Sequence, residues 1–131
     1  MGKRPVVVGV DGTVAGVRAL AWAMDQALER DVPLHVVNAW QQNTVPARER
    51  SRELVDDALV TAATGRLRHP QIIRRCLPGP AAEVLVEAAR SATLLVLAAH
   101  DRPTTGLGRV SAHCVLHASV PVVVLHEETA D

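Results

Sequence analysis

The sequence contains no phenylalanine and no tyrosine, and its only aromatic residues are Trp22 and Trp40. A core built from it is therefore aliphatic, drawn from valine, leucine and alanine, with little use for ring–ring packing. Cysteine is scarce as well. Cys76 and Cys114 lie far apart with no CxxC spacing, which argues against a disulfide or redox role; they read as small buried hydrophobes of a reducing compartment. Net charge is absent too, with fourteen basic and fourteen acidic side chains. Without a basic surplus the chain lacks the electrostatic signature of a nucleic-acid module, although a local anion site stays open. Lys3 is the only lysine, so bidentate recognition of carboxylate or phosphate falls to arginine. Finally, no apolar run is long. The N-terminal Val6–Val10 run is broken by Gly9 and is too short for a signal peptide or a membrane span, so a cytoplasmic location and no membrane partner are expected.

What is present is a regular alternation. The 131 residues, 48% of them hydrophobic, suit one domain over 1–131 with a core that needs no metal or disulfide staple. Five short apolar runs, at 5–10, 33–39, 72–77, 94–98 and 121–125, are mostly continuous, as in strands covered on both faces. Between them lie helix-period stripes: Val17, Leu20, Ala21, Met24 and Leu28; Val55, Ala58, Leu59 and Ala62; Ala81, Val84, Leu85 and Ala88; and a narrower one of Val110, Cys114 and Ala118. The order β-α-β-α-β-α-β-α-β predicts an α/β fold, an open parallel five-stranded sheet with right-handed crossovers and helices on both faces. Asp11-Gly12, Asp31, Pro33, Gly65 and Pro78-Gly79-Pro80 fall where turns are needed. Arg74 and Arg75 interrupt the third strand, which places it at a sheet edge. The longest irregular stretch is about 41–47, and the charged run Arg48 to Glu53 reads as a solvated helix face, with an anion-binding lid as the alternative.

Ligands of open parallel sheets sit beyond the carboxyl ends of strands, where the strand order reverses. The first and fourth strands are the natural neighbours there. Asp11 ends the first strand, Ala39 the second, and the 98–108 loop follows the fourth, entering the last helix at Gly108. These segments should converge on one crevice.

VVVGVDGT at 6–13, AGVRALAW at 15–22, HVVNAW at 35–40, PGPAAEVLVEAA at 78–89 and GRVSAHCVLHASVPVVVL at 108–125 occur in that order, and together the chain resembles the universal stress protein family. The resemblance implies a flavodoxin-like, adenine-nucleotide α-hydrolase-like domain with sheet order 3-2-1-4-5, usually dimeric, in a family with one ATP-binding branch and one that does not bind ATP. Carried over, the nucleotide-site positions are Gly9, Asp11, Ala39, Ala98, Gly108, Arg109, Val110 and Ser111. The phosphate cradle of the ATP branch departs here: Ala98 and Asp101 stand at its two glycines, six residues rather than nine precede Gly108, and Arg109 replaces a hydroxyl. Ala98 adds a methyl where the backbone would need a left-handed turn or a close approach. A carboxylate at Asp101 about 5 Å from a phosphate costs on the order of 3 kcal/mol at an effective dielectric of 20, before screening. Arg102 and Arg109 could offset that cost. The expectation is a stress-response domain with weak or lost ATP binding; the alternative is an ATP-dependent switch, and a slow nucleotide hydrolase ranks last.

No catalytic or metal site is expected. His113 and His117 share a helix face at metal-ligand spacing but lack an evident third ligand, and no nucleophile motif accompanies His100-Asp101. Ser111 reads as a first-turn hydroxyl capping helix amides. Trp22 reads as core and Trp40 as a lid at the crevice mouth. Val122, Val123, Val124 and Leu125 form an uncharged edge strand, which predicts pairing with the same strand of a second chain.

Overall fold

The computed structural model describes residues 3–41, 44–99 and 109–126. The chain alternates strictly: β1 Val6–Gly9, α1 Val14–Arg30, β2 Leu34–Trp40, α2 Val45–Ala63, β3 Ile72–Pro78, α3 Ala81–Ala88, β4 Leu94–Ala99, α4 Arg109–His117 and β5 Val122–His126. All strand pairs are parallel, in the order β3-β2-β1-β4-β5. The arginine-interrupted strand is at one edge, as expected, and β5 is at the other.

Successive residues of β1 point to opposite faces, and both faces are covered. Val6 and Val8 pack with Leu20, Met24 and Val55 beneath α1 and α2, whereas Val7 packs with Val37, Leu85 and Leu95 beneath α3 and α4. This is why the strands read as continuous apolar runs rather than alternating ones.

Helix ends follow local chemistry. Thr13 caps α1, its Oγ1 accepting from the Gly16 amide at 3.1 Å. The helix stops at Asp31, which adopts the left-handed conformation (φ 54°) and donates its amide to the Ala27 and Leu28 carbonyls. Thr44 caps α2 onto the Ala47 amide at 3.2 Å, with Pro46 in the first turn.

Three expectations are corrected. The helix α2 begins at Val45, inside the stretch expected to be irregular, because Thr44-Val45-Pro46 is itself a helix-start signal. The buried face of α1 is rotated: Ala19, Ala23 and Ala27 are fully buried with Leu20 and Met24, while Val17, Ala21 and Leu28 are half-buried. Small alanines let the helix approach the sheet closely, with Leu20 and Met24 filling the space between, and leave Val17 and Leu28 at its flanks. On α4 the buried residues are Ser111 and Cys114; Val110 is exposed and Ala118 half-buried. The second stripe, Val55, Ala58, Leu59 and Ala62, is buried throughout.

Candidate functional site

The carboxyl ends of β1, β2 and β4 open onto one crevice of about 250 Å³. Gly9, Val10 and Asp11 form its floor on the β1 side, and Val37, Asn38 and Ala39 its wall on the β2 side. Leu97 and Ala98 enter from β4, Ala81 and Leu85 from α3, and Arg109, Val110 and Ser111 from the first turn of α4. Seven of the eight residues expected to hold a nucleotide therefore line one cavity. The eighth, Gly108, lies outside the described residues, as do His100, Asp101 and Arg102.

Two glycines permit this geometry. A side chain at Gly9 would bring its Cβ to 2.9 Å from Leu85 Cδ2, so glycine lets α3 seat Leu85 over the end of β1. A Cβ at Gly16 would lie 2.9 Å from Asp11 Oδ1. That oxygen accepts from the Thr13 amide at 3.1 Å and from the Thr13 hydroxyl at 2.6 Å. Asp11, Thr13 and Gly16 thus form a relay that fixes the carboxylate at the start of α1.

Beneath the crevice, Asn38 Nδ2 donates to the Val10 carbonyl at 2.7 Å, and the Ser51 hydroxyl donates to Asn38 Oδ1 at 2.7 Å. Asn38 and Ser51 are both buried. The chain of bonds runs from α2 through β2 to the residue preceding Asp11. Sequence reasoning missed both residues, although a signal existed: Asn38 is the one polar residue after His35 in a strand covered on both faces, and Ser51 lies four residues before Val55 on the buried stripe.

Ala98, expected both to end the fourth apolar run and to open the following loop, belongs to the strand. It lies within β4, paired in register with Leu125, and the only non-glycine residue with positive φ among those described is Asp31. The strand runs one residue further than the apolar run at 94–98, because Ala99 still finds a ladder partner in His126 of β5. A left-handed turn therefore does not penalise the Ala98 methyl; it simply occupies crevice volume.

Trp22 packs against the core under α1, as expected. Trp40 does not cover the crevice. It lines a separate cavity with Thr44, Val45, Arg48, Cys76 and Pro78, on the far side of β2, and its indole nitrogen is buried with no partner among the described residues. Ser111 is a first-turn residue of α4 and is 4% exposed, buried against the crevice. The His113 and His117 rings lie against each other, tilted by 41° with centroids 4.4 Å apart, and among the described residues no cluster of three or more potential ligands surrounds a metal position. Cys114 is buried, with Sγ 3.9 Å from the Ala82 carbonyl, and burial pushes its thiol up to about 11, which makes it a poor nucleophile. Cys76 is half-buried rather than buried. Burial, then the nearby Arg75 charge, hold His35 below the usual imidazole range, and its Nδ1 is buried without a partner among the described residues.

A parallel sheet of this order with a crevice at its topological switch point defines a small open-sheet α/β fold with a candidate ligand site. The universal stress protein family model matches residues 3–126, and the chain belongs to that family. Universal stress protein Rv2623 of Mycobacterium tuberculosis is 32% identical over 141 aligned residues, covering 94% of this chain and 48% of the relative. Universal stress protein Rv3134c of the same organism is 31% identical over 137, covering 98% and 50%. The chain thus spans about half the length of the curated relatives it matches. Among solved structures, a universal stress protein in complex with cAMP superposes with a TM-score of 0.71 at 26% identity, covering 96% of this chain and 98% of that one. The universal stress protein of Archaeoglobus fulgidus in complex with dAMP gives 0.79 at 21% identity, covering 95% and 98%. Among the described residues, no helix is long and apolar enough to cross a membrane.

Proposed function

We propose that this chain is a cytoplasmic stress-response domain that works by binding rather than turnover, taking the nucleoside end of an adenine nucleotide and holding the phosphates weakly. The observation that carries the reading is the convergence of Gly9, Asp11, Ala39 and Ala98 with Arg109, Val110 and Ser111 on one cavity. Its walls are mostly aliphatic, which suits a base and a ribose. The related protein solved with cAMP supports an adenine ligand. Weak phosphate binding rests on the sequence at Asp101, where an acid stands at a glycine of the ATP-binding branch, and on the Ala98 methyl, which takes up crevice volume.

Calorimetric titration with adenosine, AMP and ATP tests this. AMP and ATP should bind within about tenfold of each other, with ATP at roughly 100 μM or weaker, about −5.5 kcal/mol. Asp11→Asn, which keeps an acceptor for Thr13 but removes the charge, should weaken all three alike. Micromolar ATP binding, far tighter than AMP, would instead establish the ATP-dependent switch.

The same reading makes the protein a homodimer through β5. Val122, Val123, Val124 and Leu125 are half-buried, and β5 pairs only with β4 in the described sheet. An apolar edge of this kind favours a two-fold partner. Sedimentation should show a dimer for the native chain and a monomer for Val123→Asp, with circular dichroism confirming that the variant is folded. A Val123→Asp protein that stays dimeric places the interface elsewhere.

A further inference from the structure

The opposite edge of the sheet carries a second feature, which shares no residue with the nucleotide crevice. The edge strand β3 pairs only with β2, so the backbone groups on its outer side have no strand partner among the described residues. A groove of about 470 Å³ runs between this edge and α2, lined by Arg48, Arg52, Asp56, Arg74, Arg75 and Cys76. Three arginine head groups, of Arg48, Arg52 and Arg74, meet one aspartate there, in a chain whose formal net charge is zero. Asp56 is engaged by Arg74, Nε to Oδ1 at 2.7 Å. The Arg48 and Arg52 guanidinium groups, both on exposed residues, have no hydrogen bond or ion pair among the described residues.

The cations are arranged along a line. The helix α2 supplies Arg48 and Arg52, one turn and about 6 Å apart along the axis. Alternate residues of a strand are about 6.6 Å apart, so acidic side chains at i and i+2 of an added strand match that spacing. Arg75 reaches the other face of the sheet, donating to the Ala88 carbonyl of α3 at 3.4 Å. Positive charge therefore flanks the β3 edge on both faces. A compact anion would meet one side only, whereas an extended chain pairing with the edge would meet both. A second copy of this chain docking edge to edge would bring its own arginines against these, which like-charge repulsion opposes.

We propose that the β3 edge and the groove beneath α2 bind an extended acidic segment of a partner protein as an added strand. The test uses the full chain and a fluorescein-labelled heptapeptide alternating glutamate and valine, followed by anisotropy. Three comparators accompany it: the glutamine counterpart, a backbone N-methylated version of the acidic peptide, and inorganic pyrophosphate as competitor. The acidic peptide should bind, weakening as salt is raised. The glutamine and N-methylated peptides should each bind at least about tenfold more weakly, as should the acidic peptide to Arg48→Glu/Arg52→Glu, in line with charge-assisted bonds. Because both arginines are exposed and unpaired, that variant should keep the native circular dichroism spectrum. Equal binding of the N-methylated or glutamine peptide, or full displacement by pyrophosphate, overturns the proposal. So does a native protein that ignores the peptide while the double variant self-associates, since the arginines would then only guard the edge.

Discussion

Replacing Leu20 with alanine lowers the stability of the fold by about 3 kcal/mol, within the range for a fully buried leucine. Leu20 is 0% exposed, within the cluster that joins α1 and α2 to β1, β2 and β4. On the buried face of α1 only Leu20 and Met24 are large; Ala19, Ala23 and Ala27 have no reach with which to fill a hole. On the sheet side the cluster is mostly β-branched valine, Val6, Val8, Val36 and Val96, with few alternative rotamers. The site therefore collapses poorly, and the cavity contribution adds to the lost transfer free energy. Urea unfolding at one fixed protein concentration measures the difference, and in a thermal scan it corresponds to a fall of about 10 °C. Leu116, 78% exposed on α4, is the control, and its alanine variant should stay within about 0.5 kcal/mol of the native chain. A Leu20→Ala loss under about 1 kcal/mol would mean that the aliphatic core repacks freely.

This core also explains which parts of the structure could be read from the sequence. Strands buried on both faces leave continuous apolar runs, and the helices between them leave few topologies, so the sheet and its switch point were legible. The crevice followed from topology, since Asp11, Ala39 and Ala98 sit at carboxyl ends that a parallel sheet must bring to one side. Finer features were not legible, for identifiable reasons. In an alanine-rich helix such as α1 the alanines compete with larger aliphatics for the inward positions, so the rotation of its buried face was set by close approach rather than by side-chain size. Ala98 looked like the start of a loop as well as the end of a strand because its extended pairing depends on Leu125, in a strand that follows a whole further helix. Ser51 was hidden inside a run of charges, where only its spacing from Val55 marked it as inward-facing. The bond it makes to Asn38 crosses from helix to sheet, and no local pattern encodes such a pairing.

That bond makes Asn38 the second position of large effect. Asn38→Ala should cost about 2–4 kcal/mol, because it removes two hydrogen bonds and strands two buried partners at once. The Val10 carbonyl loses its 2.7 Å donor and the Ser51 hydroxyl loses its 2.7 Å acceptor. Ser51 is 3% exposed, so water cannot readily replace the lost contact. Ser51→Ala alone leaves only Asn38 Oδ1 short of a partner and should cost about 1–2 kcal/mol, since Asn38 borders the crevice and can recruit solvent there. In the double variant the hydroxyl that Asn38→Ala strands is itself gone. The combined loss should therefore fall short of the sum by at least about 0.5 kcal/mol, the mark of two groups in one network. Strict additivity in denaturant unfolding would show that they act separately. The functional consequence follows from position. The Val10 carbonyl immediately precedes Asp11, whose carboxylate is oriented from the other side by Thr13. With Asn38 gone, the Val10 carbonyl loses its side-chain anchor and only the Val10 amide still ties that residue to β2, through the Val37 carbonyl at 2.9 Å, so AMP affinity in Asn38→Ala should fall, whereas Leu20→Ala, remote from the crevice, should lose stability and keep its affinity so long as it is folded at the titration temperature.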